Sequence, residues 1–212
     1  MAVTNGYLTP SEASAYIGRQ YADADGILDD VITAVSRMID RHCGRHFYTV
    51  SATRYFDVTS PTRLVFGPYN DLVSITTLKS DPTGDGVYDI THSSTYYQLQ
   101  PVGATSMAPY AQPYLSVELL SGATEFPLMG SAVNGRDGLI QIAGSWGWPT
   151  SVPIEVKQAA RILCAEMAKV QDAPLGLVGS PEFGMSRVPG YMPRHARDLL
   201  QPFVHPDHVG IA

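Results

Sequence analysis

Cysteine is scarce in this chain, which has only Cys43 and Cys164. Both fall in segments that read as helices with apolar neighbours. That placement excludes a disulfide framework and leads us to expect reduced, intracellular thiols. Charge is also sparse, at 16% of 212 residues against 44% hydrophobic. This balance excludes a disordered chain and leaves room for one large or two small domains. The 14 Lys and Arg residues are outnumbered by 20 Asp and Glu, for a net charge of −6, and no basic block occurs. A surface that grips nucleic-acid phosphates is therefore not expected. No apolar run approaches the roughly 20 residues that span a bilayer, and no cleavable apolar segment opens the chain, so a soluble protein without membrane partners is expected. Also missing are a Gly-rich phosphate loop, an internal repeat, and a carboxylate pair embedded in an apolar run that would suit acid-base work. We expect no enzyme and no cofactor.

What is present begins with helices. Thr9, Pro10, Ser11 and Glu12 form a capping box with proline at the first helical position, predicting a helix from Pro10 to about Ile17 that stops at Gly18. After acidic positions Asp23 and Asp25, a second helix is predicted from about Gly26 to Cys43. Its apolar face is Ile27, Leu28, Val31, Ile32, Val35, Met38 and Ile39; Asp29, Asp30, Ser36, Arg37, Asp40 and Arg41 take the other face, and Gly44 suits a left-handed cap. A third helix follows the stretch GSWGWPTSVP. Ser151 is the expected N-cap, with Pro153 and Glu155 in the first turn. Stepping 100° per residue puts Val156, Ala159, Ala160, Leu163, Cys164, Met167 and Val170 on one arc of about 140°. Ile162, Ala165 and Ala168 form a second, small-residue face open to another subunit.

Between these helices, residues 47–143 carry short segments rich in Val, Ile, Thr, Tyr and Phe, broken by Pro, Gly, Asn and Asp. Strands are predicted at Phe47 to Val58, Arg63 to Phe66, Leu72 to Leu78, Tyr96 to Gln100, Tyr114 to Leu120 and Leu139 to Ala143. Pro101 to Pro113 reads as an exposed, mobile loop. The junction residues Trp146, Trp148, Pro149 and Pro153 are expected to turn the chain from the last strand into the third helix. Pro174, Gly176, Gly179, Pro181 and Gly184 make the following stretch a linker. A short helix from about Pro193 to Gln201 leads to a tail in which Phe203 and Val204 are exposed unless a partner covers them.

Four constellations invite chemistry. Ala143, Ser145 and Gly147 come within one residue of a nucleophile elbow, but Trp148, Pro149 and Pro153 delay the helix that would build an oxyanion hole. Asp81, Thr83, Asp85, Gly86 and Asp89 match the opening of a calcium loop, with His92 where glutamate belongs; a Gly-Asp-Gly hairpin turn explains the same residues. His42, Cys43 and His46, with Cys164 from the third helix, make a conceivable zinc set without a C-x-x-C pair. His205, Asp207 and His208 lie in a tail that does not preorganise ligands. We assign no metal site.

The layout resembles the head-to-tail connector, or adaptor, proteins of tailed bacteriophages. The residues that carry the resemblance are Leu8, Thr9 and Glu12; Ile39-Asp40-Arg41 with Gly44-Arg45 and Phe47-Tyr48; and Gly147-Trp148-Pro149 through Val152-Pro153 and Val156 to Ala160. The resemblance implies a small helical-bundle core, residues 1–46 and 144–172. This chain departs from the small all-helical members of that family in residues 47–143, which read as a β-rich insertion between the second and third helices, so an α+β chain is expected, with 173–212 a linker, short helix and extended C-terminal arm. The resemblance also implies a structural virion protein, a ring expected at twelve copies that sits beneath the portal, extends the DNA channel and receives neck and tail proteins. DNA would pass without sequence-specific binding, and assembly would take place in the host cytoplasm. The arm would dock on the portal through Leu199, Leu200, Phe203 and Val204, while Ile162 and Ala165 would meet the neighbouring subunit. The alternatives are another phage neck or tail-completion protein, or a calcium-binding or hydrolytic soluble domain.

Overall fold

The first helix closes its capping box as the sequence reads. The Glu12 amide donates to Thr9 Oγ1 at 3.2 Å and the Thr9 amide to Glu12 Oε2 at 2.8 Å, and Gly18 ends the helix in the left-handed region at φ 74°. The computed structural model describes residues 3–18, 27–107, 111–132, 134–172, 177–178, 186–187 and 192–208. The acidic positions Asp23 and Asp25 lie outside them. The chain divides into two units, Met1–Gly44 with Val152–Ala212, and Arg45–Ser151.

The first unit holds α1 (Pro10–Ile17), α2 (Ile27–Cys43), α3 (Ile154–Asp172) and α4 (Arg194–Leu200). It is organised on α3, which packs against each of the other three. Helix α2 buries Leu28, Val31, Ile32, Val35, Ile39 and Cys43, while Ile27 at the rim of the arc is exposed. Ser36 and Asp40, expected on the polar face, are buried too. The reason is Tyr7: its amide donates to Ser36 Oγ at 3.1 Å, and its hydroxyl donates to Asp40. Asp40 also meets Arg37 Nε at 3.0 Å. Helix α3 buries Val156, Ala159, Ala160, Leu163 and Cys164 as expected, with Ala168 as well, which the helical wheel had assigned to the open face. A helix enclosed by three others needs a wider apolar arc than a surface helix. Its first backbone bond runs from the Lys157 amide to the Pro153 carbonyl at 3.0 Å, so Pro153 and not Ser151 stands at the cap. Val152 precedes a proline and is steered toward extended backbone, which separates Ser151 from the helix.

Glu12 does a second task beyond the capping box. Its Oε1 lies 3.5 Å from Lys157 Nζ and 3.9 Å from Arg161, which ties α1 to α3. The Thr9 amide, followed by Lys157, holds the Glu12 carboxyl below its usual pKa.

The C-terminal segment corrects the expected free arm. Helix α4 and a 3-10 turn, Gln201–Phe203, bury Ala196, Leu200 and Phe203. The His205 amide then donates to the Cys43 carbonyl at 2.8 Å, and His208 Nε2 contacts the Arg41 carbonyl at 2.9 Å. A carbonyl only accepts, so Nε2 carries the proton. Every helix leaves its last carbonyls without intrahelical donors, and here the returning tail supplies two of them to α2. Gly44, at φ 65°, permits the approach, since a Cβ there would stand 2.6 Å from the His208 ring. Of the expected linker, Pro174, Gly176, Gly179, Pro181 and Gly184 lie outside the described residues; within that stretch β8 (Leu177–Val178) pairs antiparallel with β9 (Ser186–Arg187).

The second unit packs two antiparallel sheets. One has the order β1 (Val50–Phe56), β7 (Ile140–Trp146), β3 (Leu72–Ser80), β4 (Ile90–Thr91); the other has β2 (Arg63–Val65), β6 (Ser116–Leu119), β5 (Tyr97–Gln100). A core of Val58, Leu64, Phe66, Leu72, Leu78, Val117, Phe126, Ile140, Ile142 and Trp146 joins them. Strand β7 continues three residues past its expected end at Ala143. Gly144, which reads as a strand breaker, is required inside the strand: a Cβ there would run into the Ser74 carbonyl of β3, at a point where the β3 register shifts. The loop expected over 101–113 is pinned at its ends. Ala104 is buried in a 3-10 turn and accepts from the Gln112 amide at 2.9 Å, and Leu72 and Tyr114 exchange backbone bonds.

Candidate assembly surfaces

The two tryptophans do different work. Trp146 is fully buried at the end of β7. It lies 5.6 Å from the Phe56 and Phe66 rings, has the Arg54 guanidinium 4.6 Å above it, and donates from Nε1 to the Ala52 carbonyl at 2.9 Å. Trp148 packs on Phe47 at 5.3 Å, with Arg45 over its ring at 5.7 Å. Between them Gly147 takes φ 114° and donates to the Asp71 carbonyl at 2.8 Å. The turn therefore starts at Gly147. Pro149 is half-buried and Pro153 buried.

Asp71 is a group that sequence reasoning missed. It sits in a turn-like Asn-Asp context, yet it is 1% exposed and faces Arg45 at 3.7 Å. Burial pushes its pKa up to about 6, and the positive charges of Arg45, His46 and Arg54 only partly oppose this. A raised acid favours folding fully below its unfolded value near 3.8, and that stability is lost as pH rises through about 6. The contribution is on the order of 3 kcal/mol. Glu12 and Asp81 have lowered pKa values and run the other way, losing stability as pH falls. The clean measurement is therefore a difference: chemical unfolding of Asp71→Asn and wild type from pH 4 to 8. Relative to the variant, wild type should gain stability as pH falls from 7 to 4.5, and parallel curves would refute the assignment.

The chemical candidates resolve into structural roles. Ser145 lies within β7, paired with Ser51 on one side and Ser74 on the other, so no elbow forms. Asp81 Oδ1 accepts from the Thr83 amide and hydroxyl and the Gly84 amide, and Oδ2 accepts from the Gly86 amide at 2.7 Å. Burial alone would raise its pKa, but these donors outweigh it and hold the carboxyl low. Both oxygens serve the loop's own turn, as a hairpin requires. His92 Nε2 meets Ser80 Oγ at 3.0 Å and its ring packs edge-on against Phe126. Cys43 and Cys164 are buried and form no disulfide, and burial pushes the Cys164 thiol up to about 12. Among the described residues no group of three metal-ligating side chains comes together, and no helix is long and apolar enough to cross a membrane. His205 Nδ1 accepts from the Asp207 amide at 3.1 Å, and His208 is taken up by α2.

The surface candidates divide. Leu200 and Phe203 are buried in their own unit, so they hold the tail in place; Leu199 and Val204 remain half-buried. Ile162 and Ala165 are also half-buried on α3. Exposed apolar groups of the sheet unit include Val50, Tyr55 and Val65.

No protein-family model matches the chain, and no curated protein matches it. Solved structures do. A chain in the neck of an empty GTA particle, computed with C6 symmetry, matches at TM-score 0.57 and 17% identity over 96% of this chain and 92% of that one. A chain in the neck of the native GTA particle, computed with C12 symmetry, matches at TM-score 0.57 and 16% identity over the same shares. The chain thus has an α+β fold, and along nearly its whole length it is the fold of a subunit in the neck of a GTA particle.

Proposed function

We propose that this chain is a structural, non-enzymatic subunit of the neck of a phage-like particle, a head-to-tail connector that forms a ring beneath the portal. The observation that carries this reading is the fold match to a neck subunit, which spans both units and not the helical part alone. The short motifs from Leu8 to Ala160 noted above point the same way. The ring would extend the DNA channel, receive neck or tail proteins, and reside in the virion after assembly in the host cytoplasm. Twelve copies, or six repeats of a pair, suit the symmetries reported for the GTA necks. The net charge of −6 supports passage of DNA without a tight grip on its phosphates. Portal docking falls to Leu199 and Val204, with Leu200 and Phe203 fixing the arm that presents them.

The test is the oligomeric state of the full chain, alone and mixed with a portal, by mass photometry and negative-stain imaging. Rings support the reading, and a monomer under both conditions overturns it. Ile162→Glu should reduce ring formation at least tenfold while shifting the monomer's unfolding by about 1 kcal/mol or less. Equal losses in both would remove α3 as the subunit contact.

A further inference from the structure

The four-stranded sheet has an outer face with little charge. Register places Ser51, Thr53 and Tyr55 of β1 beside Ser145, Ala143 and Gln141 of β7. Ser74, Thr77 and Lys79 of β3 follow, and then Thr91 of β4. Residues directly opposite one another share a face, so these ten form one surface, and its partner surface carries Ile140, Ile142, Trp146, Leu72 and Leu78 into the core. The outer face has no carboxylate and a single charge, Lys79 at the β4 side, in a chain with 20 acidic residues. Ser51, Thr53, Tyr55, Ser74 and Thr91 are exposed.

The rim of this face is an edge strand. Strand β1 pairs with β7 in unbroken register over Val50–Phe56 and ends the sheet on that side. Among the described residues no other backbone group bonds to it. Edge strands are ordinarily guarded by proline, a bulge, brevity or charged side chains, inward-pointing ones included. This one, VSATRYF, has no proline, lysine or bulge; its one charge, Arg54, turns inward over Trp146, and Val50 and Tyr55 are 39% and 56% exposed.

From this we infer that the β1 rim and the uncharged outer face of its sheet seat a second copy of this chain, as a lateral contact between neighbours in the ring. The inference rests on the ring reading proposed above. Copies that each carry −6 repel, so self-contact is favoured where no carboxylate must be brought against another. Duplex DNA is a poorer occupant, because phosphate recognition needs clustered cations. Strand spacing and rise give the face a footprint on the order of 300 Å². That is under half of the roughly 800 Å² per partner in a standard interface, so the helical units supply the remainder of the contact.

The experiment compares full-length Thr53→Glu, Tyr55→Glu and the control Val102→Glu, the last at an exposed site away from this face. Each is assayed for folding by thermal unfolding, and for rings alone and with a portal. Hydrogen exchange of residues 50–56 is followed in monomer and ring. The expected result is folded variants, ring formation weakened at least tenfold by Thr53→Glu and Tyr55→Glu but not by Val102→Glu, and slowed exchange in β1 on assembly. Rings of normal stability from both face variants, with unchanged exchange in β1, overturn this surface and leave the ring reading standing. A wild-type chain that forms no ring under either condition overturns both.

Discussion

Trp146→Ala should cost the sheet unit about 3 to 5 kcal/mol, the range for emptying a buried large aromatic site. The side chain is 0% exposed and sits where both sheets meet, between Phe56 and Phe66. Three losses coincide. The cavity forfeits the packing of two rings, the Ala52 carbonyl loses the Nε1 donor, and the half-buried Arg54 guanidinium loses the aromatic face beneath it. Arg54 would still hold the Tyr69 carbonyl at 2.5 Å and Asn70 at 2.8 Å, which limits how far it can move to recover hydration. Domains are commonly stable by only about 5 to 15 kcal/mol, so the loss should remove a large share of the total and lower the unfolding midpoint well below wild type. Urea unfolding followed by far-UV circular dichroism checks it, with Trp146→Phe expected to lose less. A Trp146→Ala protein within about 1 kcal/mol of wild type would show that the core closes without this residue.

The second large effect is Gly147→Ala. Glycine is needed at this position twice over, for φ 114° and because a Cβ would overlap the Tyr48 carbonyl oxygen. Neither side can yield easily, since the obstruction is backbone and Gly147 itself is tied to Asp71 through its N–H. Left-handed strain for a non-glycine residue is about 1 to 3 kcal/mol, and the overlap adds to it, for a total of about 3 to 5 kcal/mol. Gly103→Ala is the control. It has φ 70° but nothing within 4 Å of the added carbon, so it should show the strain alone, about 1 kcal/mol. If the two variants unfold together in urea, close approach is not what selects glycine at 147.

These positions show where the sequence was legible. Local signals were readable: the Thr9 capping box, the helical periods of α2 and α3, the Gly44 cap and most strand positions each depend on residues a few places apart. Ser36 and Asp40 were misplaced because their partner, Tyr7, lies about thirty residues away in sequence, and a helical wheel cannot see it. Gly144 read as a strand end because glycine weakens strands in general, whereas its cause here is a carbonyl on β3. Asp71 had no sequence signal, since a buried acid and a turn acid look alike until Arg45 arrives. The tail read as free because α4 is short and polar on its exposed side, while its burial depends on distant segments: α4 packs on α3, and His205 bonds to the end of α2. The α+β class was readable, and the neck-protein resemblance rested on short motifs that the later fold match supports.

The tail that caps α2 also constrains the order in which the protein can be completed. The sheet unit is one continuous run, Arg45–Ser151, and its contacts are available as soon as that run has left the ribosome. The helical unit is split: α1 and α2 are made first, but α3, the helix they pack on, comes after the whole sheet unit, and the donors for Cys43 and Arg41 come last. Contacts between such distant segments carry a loop-closure cost and form slowly. The sheet unit should therefore mature on the nascent chain while α2 waits with open carbonyls. The helical unit can close only after α3, α4 and the segment through His208 have been made, so a product truncated before His205 would leave α2 unfinished.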